Sequence, residues 1–408
     1  MDVVLSTPAF ILSALGFSMS FWLALEVAGA FVGRRRRKFD ARTRTIAVIV
    51  PAHNEAGVIK NCLQSITGQL KARDRVIVVA DNCTDSTCDV ARAAGAECLE
   101  RENQNQRGKG FALQFGIDHL ASDPPGTVVF IDADCVVKEG ALETLAAAAE
   151  QSEAPVQALY LMTAQSSADI DEARNSASAV AVFAWAFINK VRMRGLDRLF
   201  GVTRLTGSGI AMPWRVASAS SFGSSEIVED LAMTVDFVKR GLAPRLVEGA
   251  VVTSEFPISQ QERIRQTARW EHGSRRLAKR NTIQNLFSSL SAGNFKLFAL
   301  TMDMLAPPLV MFFIYLFAVA SFAGIAAIAG NAAPLIVAVC AIVIAFLAVF
   351  AGWLGFGREI IGLRDIGGLF SFAFSKIGVY GKAGRESAKT WTPTRMDDGI
   401  DRPSDGSN

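Results

Sequence analysis

Three long uncharged stretches stand out in the pattern of apolar and polar residues along the chain. They cover residues 9–25, 305–330 and 332–357, and none contains an acidic or basic residue. A helix needs about 20 predominantly apolar residues to cross the hydrocarbon core of a membrane. The pattern therefore predicts three transmembrane helices, the last two forming a hairpin with a breaker-rich connection at 330–334.

The charges beside the first stretch predict its orientation. Only Asp2 precedes the stretch, and a basic cluster follows it. A cleaved signal peptide carries positive charge before its apolar run, so this order predicts an uncleaved anchor whose basic end stays cytoplasmic, together with the region up to about Phe298. The alternative, a nucleic-acid-binding patch, is disfavoured because the cluster abuts an apolar span and suits membrane lipids better. The cluster comprises Arg34, Arg35, Arg36, Arg37 and Lys38.

The C-terminal part of the chain contains one shorter apolar segment. Residues 366–380 are fewer than a span requires and include Lys376. Such a segment favours a helix in the membrane interface over a fourth crossing. The tail beyond Asp397 is rich in Asp, Gly and Ser and is predicted to be disordered.

Between the first two spans, short β-branched runs alternate with helical patterns. The runs and the helical stretches that follow them are 46–50 with 56–67, 76–80 with 85–94, and 128–131 with 139–149. This alternation predicts parallel strands joined by helices, and nearly continuous apolar strands indicate a sheet that is covered on both faces. We therefore predict a doubly wound α/β domain that binds its ligand at the carboxyl ends of the strands.

Composition fits a soluble domain combined with membrane helices. The 408 residues are 50% hydrophobic and 20% charged, and the mean hydropathy is +0.27, more apolar than a purely soluble protein. The net charge of +3 is too small to imply a polyanionic partner. No disulfides are expected in a cytoplasmic setting. A zinc site is disfavoured because Cys83 and Cys88 lack a second pair at ligand spacing.

Acidic side chains follow each of the three predicted strands. Glu55 follows the first, Asp81 and Asp85 the second, and Asp132 and Asp134 the third. A single carboxylate in such a position, Asp85 in particular, can simply cap the next helix. Asp132 and Asp134 are two residues apart on extended chain, so they project to the same side and suit Mg²⁺ or Mn²⁺ beside substrate phosphates.

Two further polar clusters lie downstream. Glu229 and Asp230 open a helical pattern, where the helix dipole keeps a carboxylate ionised and able to act as a base, although acids are also common in first helical turns. Gln266, Arg269 and Trp270 lie in a strongly basic stretch for which a membrane-surface helix is the alternative. The sequence has no P-loop or dinucleotide-binding glycine pattern, so kinase, ATPase and dehydrogenase functions lose their main support.

An ordered set of motifs runs through nearly the whole chain. The set comprises Pro51-Ala52-His53-Asn54-Glu55, the Asp81 loop, Arg107-Gly108-Lys109-Gly110, Asp132-Ala133-Asp134, Thr206-Gly207-Ser208-Gly209, Glu229-Asp230 and Gln266-x-x-Arg269-Trp270. In this order the motifs resemble those of family-two glycosyltransferases, and among them the membrane-integrated, polymer-forming branch of cellulose, chitin and hyaluronan synthases. The segment at 390–395 is similar to tails of bacterial exopolysaccharide glycosyltransferases.

The resemblance implies a glycosyltransferase A (Rossmann-like) fold for the cytoplasmic domain and a role for each motif. Asp230 is implied as the catalytic base, and Asp134 as the principal ligand of Mg²⁺ or Mn²⁺ alongside Asp132. The residues implied in nucleotide-sugar binding are Pro51, Ala52, Glu55, Asp81, Lys109, Asp132, Ala133, Gln266 and Arg269. The residues implied in acceptor binding are Gly207, Ser208, Gly209, Glu229 and Trp270.

The resulting interpretation is an inner-membrane enzyme of cell-surface polysaccharide synthesis. It would transfer a hexosyl or N-acetylhexosaminyl group, with inversion, from a nucleotide-diphosphate sugar, preferably a UDP-sugar, to a growing glycan. The predicted parts are an anchor at 1–33, the glycosyltransferase domain at 34–259, a basic segment with an interfacial helix at 260–298, a transmembrane hairpin at 299–357 and a cytoplasmic region with an interfacial helix at 358–408.

The sequence departs from the polymer synthases in two motifs and in its membrane part. Asn82 and Cys83 replace the common Gly-Ser of the Asp81 loop, and Val228 replaces the usual Thr. Only two firm spans follow the catalytic domain, which is few for a polymer exporter. Transfer of a single sugar to a membrane lipid carrier, or export through a partner protein, therefore stays open as an alternative.

Two functions of other classes are disfavoured. A non-catalytic, sugar-nucleotide-sensing subunit would be expected to have lost Asp134, Asp230 or Arg269, and all three are present. A transporter would be expected to carry ionisable residues inside several spans. Here Glu26 and Asp303 lie near span ends, where we expect the membrane interface to solvate them.

Overall fold

A computed structural model describes residues 2–33, 39–163, 172–223, 229–256 and 260–365, together with Gly367, Gly368, Phe372, Lys376 and Val379. The predictions for the basic cluster at 34–38, for Val228, for most of 366–380 and for the tail fall outside these residues. The strands are β1 (Ile46–Ala52), β2 (Arg75–Asp81), β3 (Glu97–Arg101), β4 (Thr127–Phe130), β5 (Val136–Val137), β6 (Val156–Thr163), β7 (Ile210–Pro213) and β8 (Arg245–Glu255).

The helices precede, connect and follow these strands. They are α1 (Asp2–Phe31), α2 (Ile59–Thr67), α3 (Thr87–Ala93), α4 (Lys109–Leu120), α5 (Ala141–Ser152), α6 (Glu172–Ala186), α7 (Met193–Phe200), α8 (Trp214–Ala217), α9 (Glu229–Lys239), α10 (Gln260–Ser291), α11 (Phe295–Leu305), α12 (Leu309–Ile328) and α13 (Ala333–Phe356). A π-helical segment, Phe187–Arg192, joins α6 to α7.

The described strands form one mixed sheet. Its order is β3-β2-β1-β4-β7-β6-β8-β5. β2, β1 and β4 are parallel, as predicted, and β3, which was not predicted, joins them in parallel, but β7 is antiparallel to both β4 and β6. The prediction of a parallel sheet was therefore wrong at β7 and at β5, which is antiparallel to β8, whereas β6 and β8 pair in parallel. The reversal arises because β7 begins beside the last residue of β4, with Ile210 opposite Phe130, and runs back along that strand.

Both faces of the sheet are buried. In β1, Val48 and Val50 pack on one face with residues of α2 and α5, whereas Ala47 and Ile49 pack on the other face with residues of α4. A strand that is covered on both faces needs apolar residues at successive positions, not only at alternate ones. The continuous apolar runs in the sequence therefore reflect this two-sided burial.

Three helices in the described part of the chain are long and apolar enough to cross a membrane. Their apolar ranges, Leu5–Phe31, Leu309–Ile328 and Ala333–Phe356, agree with the three predicted spans. The second begins later than predicted because Pro307 and Pro308 separate it from α11, and proline interrupts helical hydrogen bonding. α1 packs against α12 and α13, so that the Tyr315 hydroxyl donates to the carbonyl oxygen of Leu12 at 2.8 Å.

The two acidic residues near the span ends are buried, contrary to the expectation that the interface solvates them. Glu26 is 0% exposed and Asp303 is 1% exposed. Arg192 lies between them, with its Nε 2.6 Å from Glu26 Oε2 and its Nη2 2.7 Å from Asp303 Oδ1. Buried carboxylates need such partners because the loss of hydration strongly disfavours an unpaired charge.

A disulfide joins Cys88 and Cys98, although none was expected. α3 packs beside β3, which brings the two Cα atoms to 5.7 Å, a separation that a disulfide spans. The other described cysteines, Cys62, Cys83, Cys135 and Cys340, are free thiols. The prediction of a fully reduced chain was therefore wrong at this pair.

Candidate active site

The carboxyl ends of β1, β2 and β4 lie at one edge of the sheet, as predicted. β1 is the middle strand of the three, and Pro51, near its end, is half-buried. His53 Nδ1 lies 2.6 Å from the carbonyl oxygen of Asp81, and the Glu55 amide donates to Thr87 Oγ1 at 2.9 Å. These bonds bring the predicted nucleotide-binding residues Glu55 and Asp81 into one region.

Asp81 is buried and paired with Arg101. Its Oδ1 lies 2.5 Å from Arg101 Nη1, and its Oδ2 accepts from the Gly108 amide at 3.5 Å. The second bond connects the Asp81 loop to the start of α4. A cavity of about 420 Å³ adjoins Asp81, a volume within the usual range for small-molecule sites. Its lining residues are Asn82, Cys83, Thr84, Glu102 and Gln104.

Asp132, Asp134 and Cys135 form a candidate cation site directly after β4. One potential ligand atom from each lies within 4.8 Å of the others. Burial, and then the charges of Asp134 and Asp132, raise the pKa of the Cys135 thiol well above its usual value. The thiol therefore stays protonated and donates to Asp134 Oδ1 at 3.6 Å. The two carboxylates remain as the charged oxygen donors, and such donors suit Mg²⁺ or Mn²⁺.

Lys109 reaches into the same region from the first turn of α4. Its ammonium group forms an ion pair with Asp132 and donates to the carbonyl oxygen of Gly207 at 3.0 Å. The free N–H groups in the first turn of a helix, with the helix dipole, favour an anion. The start of α4 therefore combines a side-chain cation with backbone donors next to the acidic pair.

Buried hydrogen bonds hold the loop at 206–209 against the sheet. Ser208 is fully buried, and its Oγ accepts from the Asp132 amide at 3.0 Å. Gln157 of β6 donates from Nε2 to the Ser208 carbonyl oxygen at 2.8 Å and accepts at Oε1 from the Thr206 amide at 2.9 Å. Because both sides of the Gln157 amide are satisfied, the loop has a defined position.

Gly207 allows three charged side chains to converge. Its φ is +80°, a conformation that residues with a Cβ adopt only with strain. A Cβ at this position would lie 3.3 Å from Lys109 Nζ, 3.7 Å from Asp230 Oδ2 and 3.8 Å from Asp132 Oδ2. The predicted donor, metal and base residues therefore surround one glycine.

Asp230 lies in the first turn of α9, and the two oxygens of its carboxylate have different environments. Its Oδ1 accepts from the Leu231 amide at 2.8 Å, whereas its Oδ2 faces Gly207. Burial raises the pKa of the Asp230 carboxyl, and the ammonium group of Lys109 is the strongest opposing influence. A carboxylate with a raised pKa accepts a proton more readily, so both position and pKa suit a general base.

Trp270 connects α10 to the cation site through a cluster of aromatic rings. The centroid of its ring lies 5.0 Å from that of Trp185, which lies 5.6 Å from that of Tyr160. The Tyr160 hydroxyl oxygen lies 3.8 Å from Cys135 Sγ. The predicted acceptor residue Trp270 is thus also a packing partner of residues beneath the acidic pair.

The other predicted site residues differ in how far their side chains are buried. Ala52 and Ala133 are each 4% exposed and pack in the core, so they offer a ligand little surface. Gln266 is buried and Arg269 half-buried on α10, where desolvation lowers the pKa of the Arg269 guanidinium. The side chain of Glu229 lies outside the described part of the structure.

Sequence patterns did not reveal Arg101, Gln157 or Arg204. Arg101 pairs with Asp81, and Arg204 Nε lies 3.0 Å from Asp303 Oδ2. Gln157 had one detectable signal, since it is a polar residue within the apolar run of β6. The two arginines had none, because the acids that they pair with are distant in sequence and belong to other elements.

Comparison with known proteins gives a family match and a similar relative. Residues 43–273 match the family described as glycosyltransferase like family 2. A 4,4'-diaponeurosporenoate glycosyltransferase of Staphylococcus aureus (strain bovine RF122 / ET3-1) is 33% identical over 133 residues, 30% of this chain and 34% of the relative. The chain thus spans about a third of the length of this relative.

A solved structure shares the fold over most of the chain. The mannosyltransferase PcManGT from Pyrobaculum calidifontis, in complex with GDP-Man and Mn2+, has a TM-score of 0.52 and 17% sequence identity, covering 91% of this chain and 99% of that chain. This likeness confirms the predicted glycosyltransferase A fold. Because the family match extends over more than half of the sequence, this protein belongs to the glycosyltransferase like family 2.

Proposed function

We propose that this protein transfers a sugar from a nucleotide-diphosphate sugar, with inversion at the anomeric carbon, to an acceptor at the membrane. The observation that carries the proposal is the convergence of Lys109, Asp132 and Asp230 around Gly207. The Lys109 ammonium group, and a metal ion held by Asp132 and Asp134, would bind the diphosphate. Asp230 is a separate carboxylate that can take a proton. Sugar transfer needs both functions within one site.

The donor is proposed to lie along the edge formed by the strand ends. The cavity beside Asp81 suits the nucleoside, and the start of α4 with Lys109 suits the diphosphate. Gln266 and Arg269, which lie on α10 after the last strand of the sheet, are also proposed to contact the diphosphate. A UDP-sugar is the favoured donor, and a GDP-sugar is second because PcManGT was solved with GDP-Man.

Asp132 and Asp134 are proposed to hold Mg²⁺ or Mn²⁺. Their carboxylates supply hard oxygen donors, and Ser254 Oγ orients Asp134 by donating to its Oδ2 at 3.0 Å. A cation bound there supplies charge neutralisation for the nucleoside diphosphate that leaves. PcManGT, which has the same fold, was solved with Mn2+.

Asp230 is proposed to take the proton of the acceptor hydroxyl. Its Oδ2 faces the converging groups, while the Leu231 amide holds its Oδ1. As the acceptor oxygen bonds to the anomeric carbon, the bond from that carbon to the diphosphate breaks, and the proton passes to the carboxylate. A single displacement of this kind inverts the anomeric centre.

Two acceptors are proposed, each favoured by a different observation. The Gln266-x-x-Arg269-Trp270 motif favours a growing glycan of a cell-surface polysaccharide, because it resembles the motif of the polymer-forming branch. The small number of candidate spans in the described part of the chain favours transfer of one sugar to a membrane lipid, and the relative named as a 4,4'-diaponeurosporenoate glycosyltransferase supports an acceptor other than a growing glycan. In the first case, export through so few helices would require an assembly partner.

The protein is proposed to lie in the inner membrane with its catalytic domain in the cytoplasm. Besides the three candidate spans, the end of α10 and the start of α11 expose Ile283, Phe287, Leu290 and Phe295, each at least 67% exposed. The first three lie on one helical face and suit the boundary between lipid headgroups and acyl chains. They support the proposed interfacial part at 260–298, between the domain at 34–259 and the hairpin at 299–357.

Replacing Trp270 with Ala is expected to raise the acceptor KM about two- to tenfold, because an aromatic face contributes roughly 0.5–1.5 kcal/mol to such contacts. The donor KM should change less than twofold. Steady-state kinetics with each substrate varied separately measures both values. Trp214→Ala is the matched control, since this half-buried tryptophan follows β7 at the opposite end of the sheet. An equal loss for donor and acceptor would instead identify Trp270 as a packing residue.

Product analysis tests the proposed function. The full chain, reconstituted in membranes, would receive a panel of labelled UDP- and GDP-sugars with Mg²⁺ or Mn²⁺. A long labelled product supports the polysaccharide acceptor and identifies its sugar, whereas a single labelled lipid supports the second acceptor. Absence of metal-dependent transfer from every donor would contradict the proposal and favour a non-catalytic sensing subunit.

A further inference from the structure

A buried cluster of four charges joins the first membrane helix to the candidate active site. We call it the Glu26–Arg204 cluster; its members are Glu26 of α1, Arg192 at the end of the π-helical segment, Asp303 of α11 and Arg204. Arg192 contacts both acids, at 2.6 Å and 2.7 Å, and Arg204 Nε lies 3.0 Å from Asp303 Oδ2. The side chains of Glu26 and Asp303 are both 0% exposed.

The cluster is balanced in charge and tightly enclosed. Two acids face two arginines, and Trp22 Nε1 also donates to Glu26 Oε1 at 2.7 Å. Near it, α7 approaches α1 so closely that a Cβ on Gly195 would lie 1.7 Å from the carbonyl oxygen of Glu26. Neither helix can shift here without a clash or an unpaired buried charge.

Arg204 is the member of the cluster that touches the catalytic region. The amide of the next residue, Leu205, donates to Thr234 Oγ1 at 3.0 Å. Thr234 Oγ1 donates in turn to the Asp230 carbonyl oxygen at 2.8 Å. Two hydrogen bonds therefore connect the backbone beside Arg204 to the first turn of α9, which carries Asp230.

The same segment continues into the loop at 206–209. Its Gly207 carbonyl oxygen accepts from Lys109 Nζ at 3.0 Å, and its Ser208 Oγ accepts from the Asp132 amide at 3.0 Å. On the far side of Asp303, Met304 packs against Leu231, the neighbour of Asp230. A displacement of Arg204 would thus move both the loop that contacts Lys109 and Asp132 and the helical turn that carries Asp230.

The charge of Arg204 also acts on Asp230 directly. Burial raises the pKa of the Asp230 carboxyl, and Lys109 and Arg204 both oppose that rise, whereas Asp132 adds to it. The side chain of Arg204 is 17% exposed, so solvent screens its charge less than that of a fully exposed side chain. This electrostatic influence agrees with the geometric connection.

We propose that Arg204 is a positioning residue for sugar transfer: Asp303 holds its guanidinium, and this contact sets the relative position of the loop at 206–209 and of Asp230. Through Arg192 and Glu26, the cluster also anchors that geometry to α1. The proposal rests on the proposed function for its catalytic consequence, but its structural part stands independently. No residue of the cluster contacts substrate in this scheme.

Arg204→Gln tests the catalytic part in the full-length, membrane-reconstituted protein. The expected result is a kcat about tenfold to hundredfold lower, since small displacements of reacting groups have effects of this size, with the donor KM within about twofold of the original. Arg204→Lys should restore most of kcat because it keeps the charge beside Asp303. Asp303→Asn should reproduce the loss, and the double variant should be no worse than either single variant.

Arg245→Gln is the matched control. Arg245 Nε lies 2.6 Å from Asp197 Oδ1, and its side chain is 19% exposed, close to the 17% of Arg204. Its kcat should stay within about twofold of the original. If Arg204→Gln keeps the original kcat, or if Arg245→Gln lowers kcat equally, the positioning role is overturned.

Hydrogen exchange gives a readout that does not depend on activity. In Arg204→Gln, the amides of 204–209 and 229–234 should exchange at least about tenfold faster, while those of β1 keep their protection. Unchanged exchange in both segments overturns the proposal even if no donor is ever found. Conversely, the original protein and Arg204→Gln could transfer sugar at the same rate. That result overturns this proposal alone and leaves the proposed function intact.

Discussion

Replacing Asp230 with Asn is expected to lower the rate of sugar transfer by about 10²- to 10⁴-fold, the usual contribution of a general base. The amide keeps the shape of the side chain but cannot take the acceptor proton. Donor binding should be nearly unchanged, because the proposed donor contacts lie on Lys109, Asp132 and the cavity beside Asp81. Single-turnover rates and donor titrations on the same preparation measure the two effects separately.

Asp236→Asn is the matched control for this variant. Asp236 lies on the same helix, and its side chain is 61% exposed and pairs with Arg240. The same chemical change at that position should leave the rate within about twofold. Normal turnover by Asp230→Asn would remove this residue from the role of base.

The pH dependence of transfer should report the same carboxyl group. Burial raises the pKa of Asp230, so its unprotonated form, which accepts the proton, is lost at a higher pH than for an exposed aspartate. The rate should therefore fall as the pH drops through this raised pKa and recover above it. A fall of the rate only near the pKa of an ordinary exposed aspartate would contradict the assignment. The control variant Asp236→Asn should show the same pH dependence as the original protein.

Replacing Asp134 with Asn is expected to reduce metal-dependent transfer roughly a thousandfold, because a cation at such a site contributes several kcal/mol to charge stabilisation. The change removes one of the two charged oxygen donors after β4 while preserving size. Titration with Mn²⁺, followed by both donor binding and rate, measures the loss. The affinity for Mn²⁺ should fall together with the affinity for the nucleotide sugar.

Asp123→Asn controls for the loss of one negative charge. Its side chain is 82% exposed and pairs with Arg75, away from the strand-end edge. It should retain both metal dependence and rate. If Asp134→Asn binds Mn²⁺ as tightly as the original protein, then the cation site does not include this carboxylate.

Local sequence patterns were sufficient for the first half of the sheet and for the acidic positions. β1, β2 and β4 were predicted because strands that are covered on both faces carry continuous apolar runs, and the acids follow where those runs end. The same reasoning failed at β7, because Ile210–Pro213 contains one β-branched residue and ends in a proline, whereas β4, of equal length, is rich in β-branched residues. Its direction depends on the turn at 206–209, which only the folded chain displays.

Pairing between distant residues could not be predicted. Glu26 and Asp303 were expected to be solvated, because a single acid near the end of an apolar stretch has the same local sequence whether or not a cation covers it. Arg192, which covers both, lies 166 residues from one and 111 residues from the other. The disulfide between Cys88 and Cys98 was missed for a related reason, since only the packing of α3 on β3 brings the thiols together.

The separation of Glu26 from Arg192 also constrains how the protein is made. Ribosomes add about 5–20 residues per second, so the arginine emerges roughly 8–33 s after the glutamate. During this interval the carboxyl group of Glu26 lacks its arginine and has, among the contacts of the folded protein, only that of Trp22 in its own helix. In the proposed membrane location this matters little, because even at the centre of a span an acidic residue disfavours insertion by only about 2.5–3.5 kcal/mol, and Glu26 lies nearer the end. In that proposed location the apolar length of the first helix supports it early, and the domain that folds later supplies the charged partner of Glu26.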